Sequence, residues 1–189
     1  MLKIKAFQYQ YKRMAARKPT GKCFNCGRDA EFYSQYLGQS LCKRHFEKML
    51  IRRARSSVVS KGYKRKGFRL KDDGTPSYRA LKLIFAEDPS SDITLGTGTL
   101  EDFAVGVMVY FASGKAPKKK VGGKTGFNPL YTTSNDEIRD LLSIHGEESS
   151  EKKRIGFDND VLSLLKDVEK RRPGGMISLV KMGERLGII

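Results

Sequence analysis

Acidic side chains are almost missing from the first third of this chain. Residues 1–71 hold 20 Lys/Arg and 3 Asp/Glu, a net +17, while residues 72–189 hold 17 basic and 18 acidic residues, a net −1. The whole excess of a +16 protein therefore lies in one segment. Cysteine is also scarce. There are three, an odd number, with no secretory signal, which excludes a disulfide framework and implies reduced thiols in a cytoplasmic chain. No apolar run is long enough to span a bilayer, and no strongly apolar helical face backed by lysines occurs in the basic segment, so a membrane partner is not expected. Hydrophobic residues make up 39%, with enough of them after residue 76 for one small core.

The few cysteines are not scattered. Cys23, Cys26, Cys42 and His45 follow the spacing C-x2-C, fifteen residues, C-x2-H, and His45 is one of only two histidines. Two short ligand pairs separated in this way form the pattern of a zinc ribbon. Thiolate and imidazole are zinc's preferred donors, and four protein ligands leave no position for water, so the expected Zn2+ is structural. A disulfide plus a stray thiol is the alternative that the odd cysteine count argues against, and a Cys23–Cys26 redox pair leaves the closing C-x2-H unexplained. Gly27 suits a tight turn beside the metal, and Gly38 falls where a hairpin tip is expected.

Residues 1–22 read as a basic arm with strand-like alternation. A helix is expected from near Cys42 to about Ser60, with Phe46, Met49, Leu50 and Ala54 on its apolar face. Glu47 is the single acid among ten bases: Lys43, Arg44, Lys48, Arg52, Arg53, Arg55, Lys61, Lys64, Arg65 and Lys66. Uncompensated like charges repel along a helix, and an anionic partner relieves that cost. Interleaved aromatics, among them Phe7, Tyr9, Tyr11, Phe24, Phe32, Tyr33, Tyr36, Phe46, Tyr63 and Phe68, favour RNA as that partner, because aromatic faces stack on unpaired bases. These ten bases are the expected RNA-binding residues.

Beyond the basic segment, Asp72–Pro76 is a turn, and Ser77–Phe85 reads as a helix. Ile93–Leu95 reads as a strand. Thr99 caps an amphipathic helix whose apolar residues are Leu100, Phe103, Ala104, Val107, Met108 and Phe111. Glu101 and Asp102 suit its positive first turn. Residues 113–129 read as a mobile Gly/Lys/Pro linker. Its Gly123-Lys124-Thr125 is not a phosphate loop, since Lys118 stands where the motif requires glycine. Ser134–Glu137 is a capping box. Val161, Leu162, Leu165 and Val168 mark a helix stopped at Pro173-Gly174-Gly175, and Met176–Leu186 marks a last one. His145 reads as a C-terminal cap or surface residue.

In this order the pieces resemble the tRNA two-thiouridine synthetases of the archaeal and eukaryotic cytosolic type, in the ATP-pyrophosphatase-loop family. The likeness rests on Leu41-Cys42-Lys43-Arg44-His45-Phe46, on Thr99-Leu100-Glu101-Asp102-Phe103-Ala104, and on Asn128-Pro129-Leu130-Tyr131 with the later Glu169-Lys170-Arg171-Arg172-Pro173-Gly174. It covers about two thirds of the chain. The resemblance implies an N-terminal zinc ribbon followed by a small, helix-rich, degenerate pyrophosphatase-loop-like domain, a reduced α/β or α+β fold. The expected division is an arm over 1–22, ribbon and basic helix over 23–66, and the degenerate domain over 67–189.

The family's adenylating Ser-Gly-Gly-Lys-Asp-Ser loop is not kept. Asp72-Asp73-Gly74-Thr75-Pro76-Ser77 stands there, and Pro76 removes a backbone N–H that a phosphate cradle uses. Gly98-Thr99 replaces the family's His-Asn, and no cysteine remains for sulfur chemistry. The sequence is therefore read as a non-catalytic, zinc-containing RNA-binding protein with no catalytic residues. Ribosomal RNA is the first partner expected and tRNA the second. The alternatives are a non-catalytic subunit or tRNA-binding partner in a tRNA thiolation complex, or a thiolation enzyme with residual ATP binding.

Overall fold

The computed structural model describes residues 21–34, 36–63, 67–117, 120–123, 126–149 and 157–189. The expected N-terminal arm, apart from Gly21 and Lys22, lies outside them. Among the described residues the first regular element is a hairpin, β1 (Phe32–Ser34) and β2 (Gln39–Leu41), paired antiparallel with Phe32 opposite Leu41. Gly38 turns the hairpin at φ +64°, a conformation that favours glycine. Helix α1 (Lys43–Ser60) follows directly and buries Phe46, Leu50, Ala54 and Val58. Their spacing of four residues makes one stripe along the helix.

Next come β3 (Arg69–Leu70), α2 (Pro76–Ile84), β4 (Thr94–Leu95), α3 (Leu100–Ser113) and β5 (Gly126–Phe127). The three strands form one parallel sheet in the order β3-β4-β5, with Leu70 opposite Leu95 and Leu95 opposite Phe127. Helices α4 (Asn135–Ile144), α5 (Phe157–Arg171) and α6 (Gly175–Arg185) complete the chain. Strand β5 falls inside the stretch expected to be a mobile Gly/Lys/Pro linker, 113–129. Val121 and Phe127 are both buried, and Tyr63 donates its hydroxyl hydrogen to the Gly123 carbonyl at 2.5 Å, with the Gly126 carbonyl 3.5 Å away. Each of these strands contributes one buried residue, Leu70, Leu95 or Phe127, too few for an alternating pattern to announce the sheet.

Local chemistry sets the helix starts. Pro76 occupies the first turn of α2, and the Thr75 hydroxyl accepts the Tyr78 amide at 3.2 Å. Ser134 and Glu137 form the reciprocal box at α4: the Ser134 hydroxyl accepts the Glu137 amide, and the Glu137 carboxylate accepts the Ser134 amide, each at 3.2 Å. The α5–α6 corner turns at Gly174, φ +86°, and the buried Glu169 carboxylate accepts the amides of Gly174 and Met176 there, at 2.5 and 2.8 Å. Helices α3 and α6 approach so closely at Gly183 that an added Cβ would sit 2.4 Å from a Val107 methyl. One hydrophobic cluster runs from Cys23 and Phe46 through Leu95 and Phe103 to Val180. No helix among the described residues is long and apolar enough to cross a membrane.

Candidate metal centre and nucleic-acid interface

The four residues singled out by spacing come together in space. The Sγ atoms of Cys23, Cys26 and Cys42 and a ring nitrogen of His45 all lie within 4.8 Å of one another. Three local features build the group. The Cys23 carbonyl accepts the amides of Cys26 and Gly27, at 3.3 and 2.8 Å, and closes the first knuckle. Gly27 turns it at φ +69°. Strand β2 delivers Cys42 to the start of α1, whose first turn carries His45.

Cys26 and Cys42 sulfurs are 3.8 Å apart, and His45 Nδ1 is 3.4 Å from the sulfurs of both Cys23 and Cys42. A tetrahedral ion with thiolates at about 2.3 Å and an imidazole nitrogen at about 2.0 Å sets S···S at about 3.8 Å and S···N at about 3.5 Å. These three separations match a single tetrahedral metal ion, within a group whose four donor atoms all lie within 4.8 Å of one another. A four-iron cubane takes one thiolate per iron, which spreads its ligands farther apart than a single ion does. Burial opposes the Cys23 thiolate. The amides of Cys42, Asn25 and Cys26 and the His45 ring outweigh it and bring the thiol down to about 6. The Arg28 amide favours the Cys26 thiolate, but desolvation and the adjoining Cys23 and Cys42 sulfurs hold that thiol above its usual value.

The basic residues separate into distinct environments. Lys43, Arg44, Lys48 and Arg52 are exposed along α1. Lys48, Arg52 and Arg55 line a shallow groove of about 540 Å³ floored by Ile51 and Val59. Arg55 also donates to the Ile84 carbonyl, at 2.8 Å from Nη2. Lys61 pairs with Glu184. Lys64, Arg65 and Lys66 lie outside the described residues.

Arg53 points inward. Its side chain is 10% exposed and forms an ion pair with Glu137, whose own side chain is 6% exposed. The Ser34 hydroxyl donates to the same carboxylate at 3.1 Å, and Arg53 donates to the Thr133 hydroxyl at 3.2 Å. The sequence carries the signal for this placement: Arg53 is seven residues after Phe46, on nearly the same side of the helix.

Of the aromatics proposed for stacking, Phe46 and Phe68 are buried, and Phe32 stacks on Phe46 with ring centroids 4.8 Å apart. Tyr36 lies under the Arg53 guanidinium, 4.8 Å from the ring centroid. Phe24 is 69% exposed. Phe7, Tyr9 and Tyr11 lie outside the described residues.

The carboxyl ends of the parallel strands, where open α/β sheets hold their ligands, are occupied by the chain itself. Asp72 accepts the Gly74 amide at 3.0 Å. Asp73 accepts the Thr75 amide at 3.0 Å, the Thr75 hydroxyl at 2.5 Å and, from the next loop, the Thr97 hydroxyl at 2.6 Å. Asn128 accepts the Gly98 amide at 2.9 Å, and an added Cβ at Gly96 would sit 2.2 Å from its Oδ1.

Thr99 stands at the N-cap position of α3 as expected, but only half of the cap is made: its amide donates to Asp102 at 3.1 Å, while its buried hydroxyl oxygen has no hydrogen-bond partner among the described residues. Glu101 has a role that helix-terminus charge does not reveal. Its buried carboxylate accepts the Asn135 amide at 3.0 Å and ties the start of α3 to the start of α4. Desolvation by burial raises this carboxyl to about 7, against the favourable amides of Asn135 and Glu101 itself. His145 is the C-cap of α4, with Nε2 3.0 Å from Glu47.

These pieces define a small α/β chain with a short parallel sheet, flanking helices and a Cys3His group capable of holding a metal at its N-terminal end. No family model matches the chain, and no curated protein matches it. Among solved structures, its fold is similar to that of the U34-tRNA thiolase NcsA from Methanococcus maripaludis, determined with its 4Fe-4S cluster. The TM-score is 0.74 at 15% identity, over 88% of this chain and 87% of that one.

Proposed function

We propose that this protein is a tRNA-binding, non-catalytic component of a tRNA thiolation system. It would act as a subunit or partner of an active synthetase. The observation that carries this reading is the likeness, along nearly the whole of both chains, to a solved U34-tRNA thiolase. That likeness favours tRNA over the ribosomal RNA expected first from charge and size, for which neither the fold nor the site offers support. Lys43, Arg44, Lys48, Arg52 and Arg55 supply the phosphate-facing surface on α1, with Lys61, Lys64, Arg65 and Lys66 continuing the basic stretch in sequence. Arg53 contributes from inside, holding α1 against α4 through Glu137.

The absence of catalysis rests on the loop after β3. Its amides of Gly74 and Thr75 are already satisfied by Asp72 and Asp73, and those two carboxylates place negative charge where a nucleotide phosphate would need amides and a cation. In this reading Cys23, Cys26, Cys42 and His45 hold a structural zinc. The ion would fix the knuckle to the first turn of α1 and open no coordination position to water. Three thiolates and a neutral imidazole around a divalent ion carry one net negative charge. That charge lies at the positive end of α1, where Lys43 and Arg44 otherwise oppose the helix dipole.

The experiment is a comparison of binding to unmodified tRNA and to ribosomal RNA fragments across a salt series, with sedimentation of native material. Retention of tRNA with a steep salt slope, together with co-migration with a larger synthetase, supports the proposal. Co-migration with ribosomal subunits overturns it, as does ATP hydrolysis or adenylation by the purified chain.

A further inference from the structure

The knuckle between the first two candidate ligands carries an apolar side chain that core packing does not explain. Phe24 lies between Cys23 and Cys26 and is 69% exposed, the most exposed large hydrophobic side chain among the described residues. Its backbone is fixed: the Phe24 amide donates to the Ser40 carbonyl at 2.9 Å, and the Cys23 amide donates to the Arg28 carbonyl at 2.6 Å. Among the described residues no ring or cation covers it, in contrast to Tyr36 beneath Arg53 and Phe32 stacked on Phe46.

Its surroundings are cationic. Cys23, Cys26, Cys42 and His45 converge within 4.8 Å, so the knuckle and the first turn of α1 share one centre. Arg28 on the knuckle and Lys43 and Arg44 on that turn flank the same centre as Phe24, and all three are exposed. The acid on the knuckle, Asp29, is neutralised locally. Lys22 pairs with it at 2.7 Å and holds its carboxyl below the usual range.

A phenyl ring carried on a hydrogen-bonded backbone, and uncovered by any described residue, suits a flat π system attached to phosphate when exposed cations lie on the same elements. A lipid surface would call for several apolar side chains together, and a protein partner for a wider apolar patch. We infer that Phe24 is a stacking platform for one unpaired nucleobase of RNA, with Arg28, Lys43 and Arg44 contacting the flanking phosphates. This rests on the RNA-binding reading above and adds to it a site that distinguishes unpaired from paired strands. Stacking on an aromatic face tolerates any base, so the site selects for strandedness and not for sequence.

The chain has no tryptophan, so Phe24→Trp places a unique fluorophore on the knuckle. The probes are a short single-stranded RNA and a blunt duplex of the same length, each end-labelled so that anisotropy reports binding independently. Metal content is measured on every variant. The expected result is that single-stranded RNA changes the tryptophan emission and the duplex does not. Phe24→Ala is expected to weaken single-strand binding about tenfold, leaving duplex binding and the salt slope unchanged. If Phe24→Ala loses metal, the Phe24→Trp emission decides. The inference is overturned if anisotropy shows single-stranded RNA bound while the emission stays constant. It is equally overturned if metal-loaded Phe24→Ala binds as tightly as the native chain, the result a protein-docking phenyl would give. Failure of the native chain to bind either RNA refutes the RNA reading itself, and the stacking site falls with it.

Discussion

Replacing Glu137 by alanine removes the acceptor that holds three parts of the chain together. The native carboxylate accepts the Arg53 guanidinium, the Ser34 hydroxyl at 3.1 Å and the Ser134 amide at 3.2 Å. In the variant Arg53 keeps the Thr133 hydroxyl at 3.2 Å and the ring of Tyr36, neither of which neutralises it. Arg53 Nε already lacks a hydrogen-bond partner, so no spare acceptor stands nearby among the described residues. Breaking a buried ion pair from one side costs about 3–5 kcal/mol. The slight exposure of the Arg53 side chain, 10%, points to the lower end. A loss of about 3 kcal/mol lowers Tm by roughly 6–12 °C for a chain of this size. Urea titration followed by circular dichroism measures it. The cost arises from a stranded charge, so Arg53→Met combined with Glu137→Leu is expected to be less destabilised than Glu137→Ala alone. A loss under about 1 kcal/mol for Glu137→Ala refutes the reasoning, as does a double variant worse than the single one.

Glu101 sets a pH dependence. Its carboxyl is raised to about 7 in the folded chain from an ordinary value of 4.5, so its contribution to stability is complete below about pH 4.5 and is lost as pH rises through about 7. Thermal scans between these limits are expected to show native stability falling with pH and Glu101→Gln giving a flatter profile; parallel profiles sink the assignment. Elemental analysis is expected to find one zinc per chain, and Cys42→Ser to lose it together with the cooperative unfolding of α1. A metal-free native chain of unchanged stability contradicts the proposed centre. Lys48→Ala with Arg52→Ala is expected to reduce the slope of log K against log salt for tRNA binding by roughly two, and an unchanged slope moves the phosphate contacts elsewhere.

The sequence was most legible where spacing or capping chemistry decides structure. The four ligand candidates converge because two short pairs on a knuckle and a helix start have one compact arrangement. The stripe Phe46, Leu50, Ala54, Val58 and the box Ser134–Glu137 each imply a local conformation without tertiary help. The sheet was harder to read. Each parallel strand has two residues, too few to show a period, and β5 lies among glycines and lysines that resemble a linker. Charge was misleading where it is buried. Arg53 sits within a basic run, yet its heptad offset from Phe46 turns it to the core. Glu101 lies in a helix first turn, yet it bonds to the neighbouring helix, a pairing that no local window contains.

The bond from Ser34 to Glu137 joins residues 103 positions apart. It makes the hairpin a fixture and not a removable cassette. Severing the chain after residue 66 would leave one fragment with an orphaned guanidinium and the other with an orphaned carboxylate. Grafting the cysteine-bearing end onto an unrelated scaffold therefore requires transplanting an acidic partner with it, whereas the outward-facing knuckle side chains are free to diversify without disturbing that attachment.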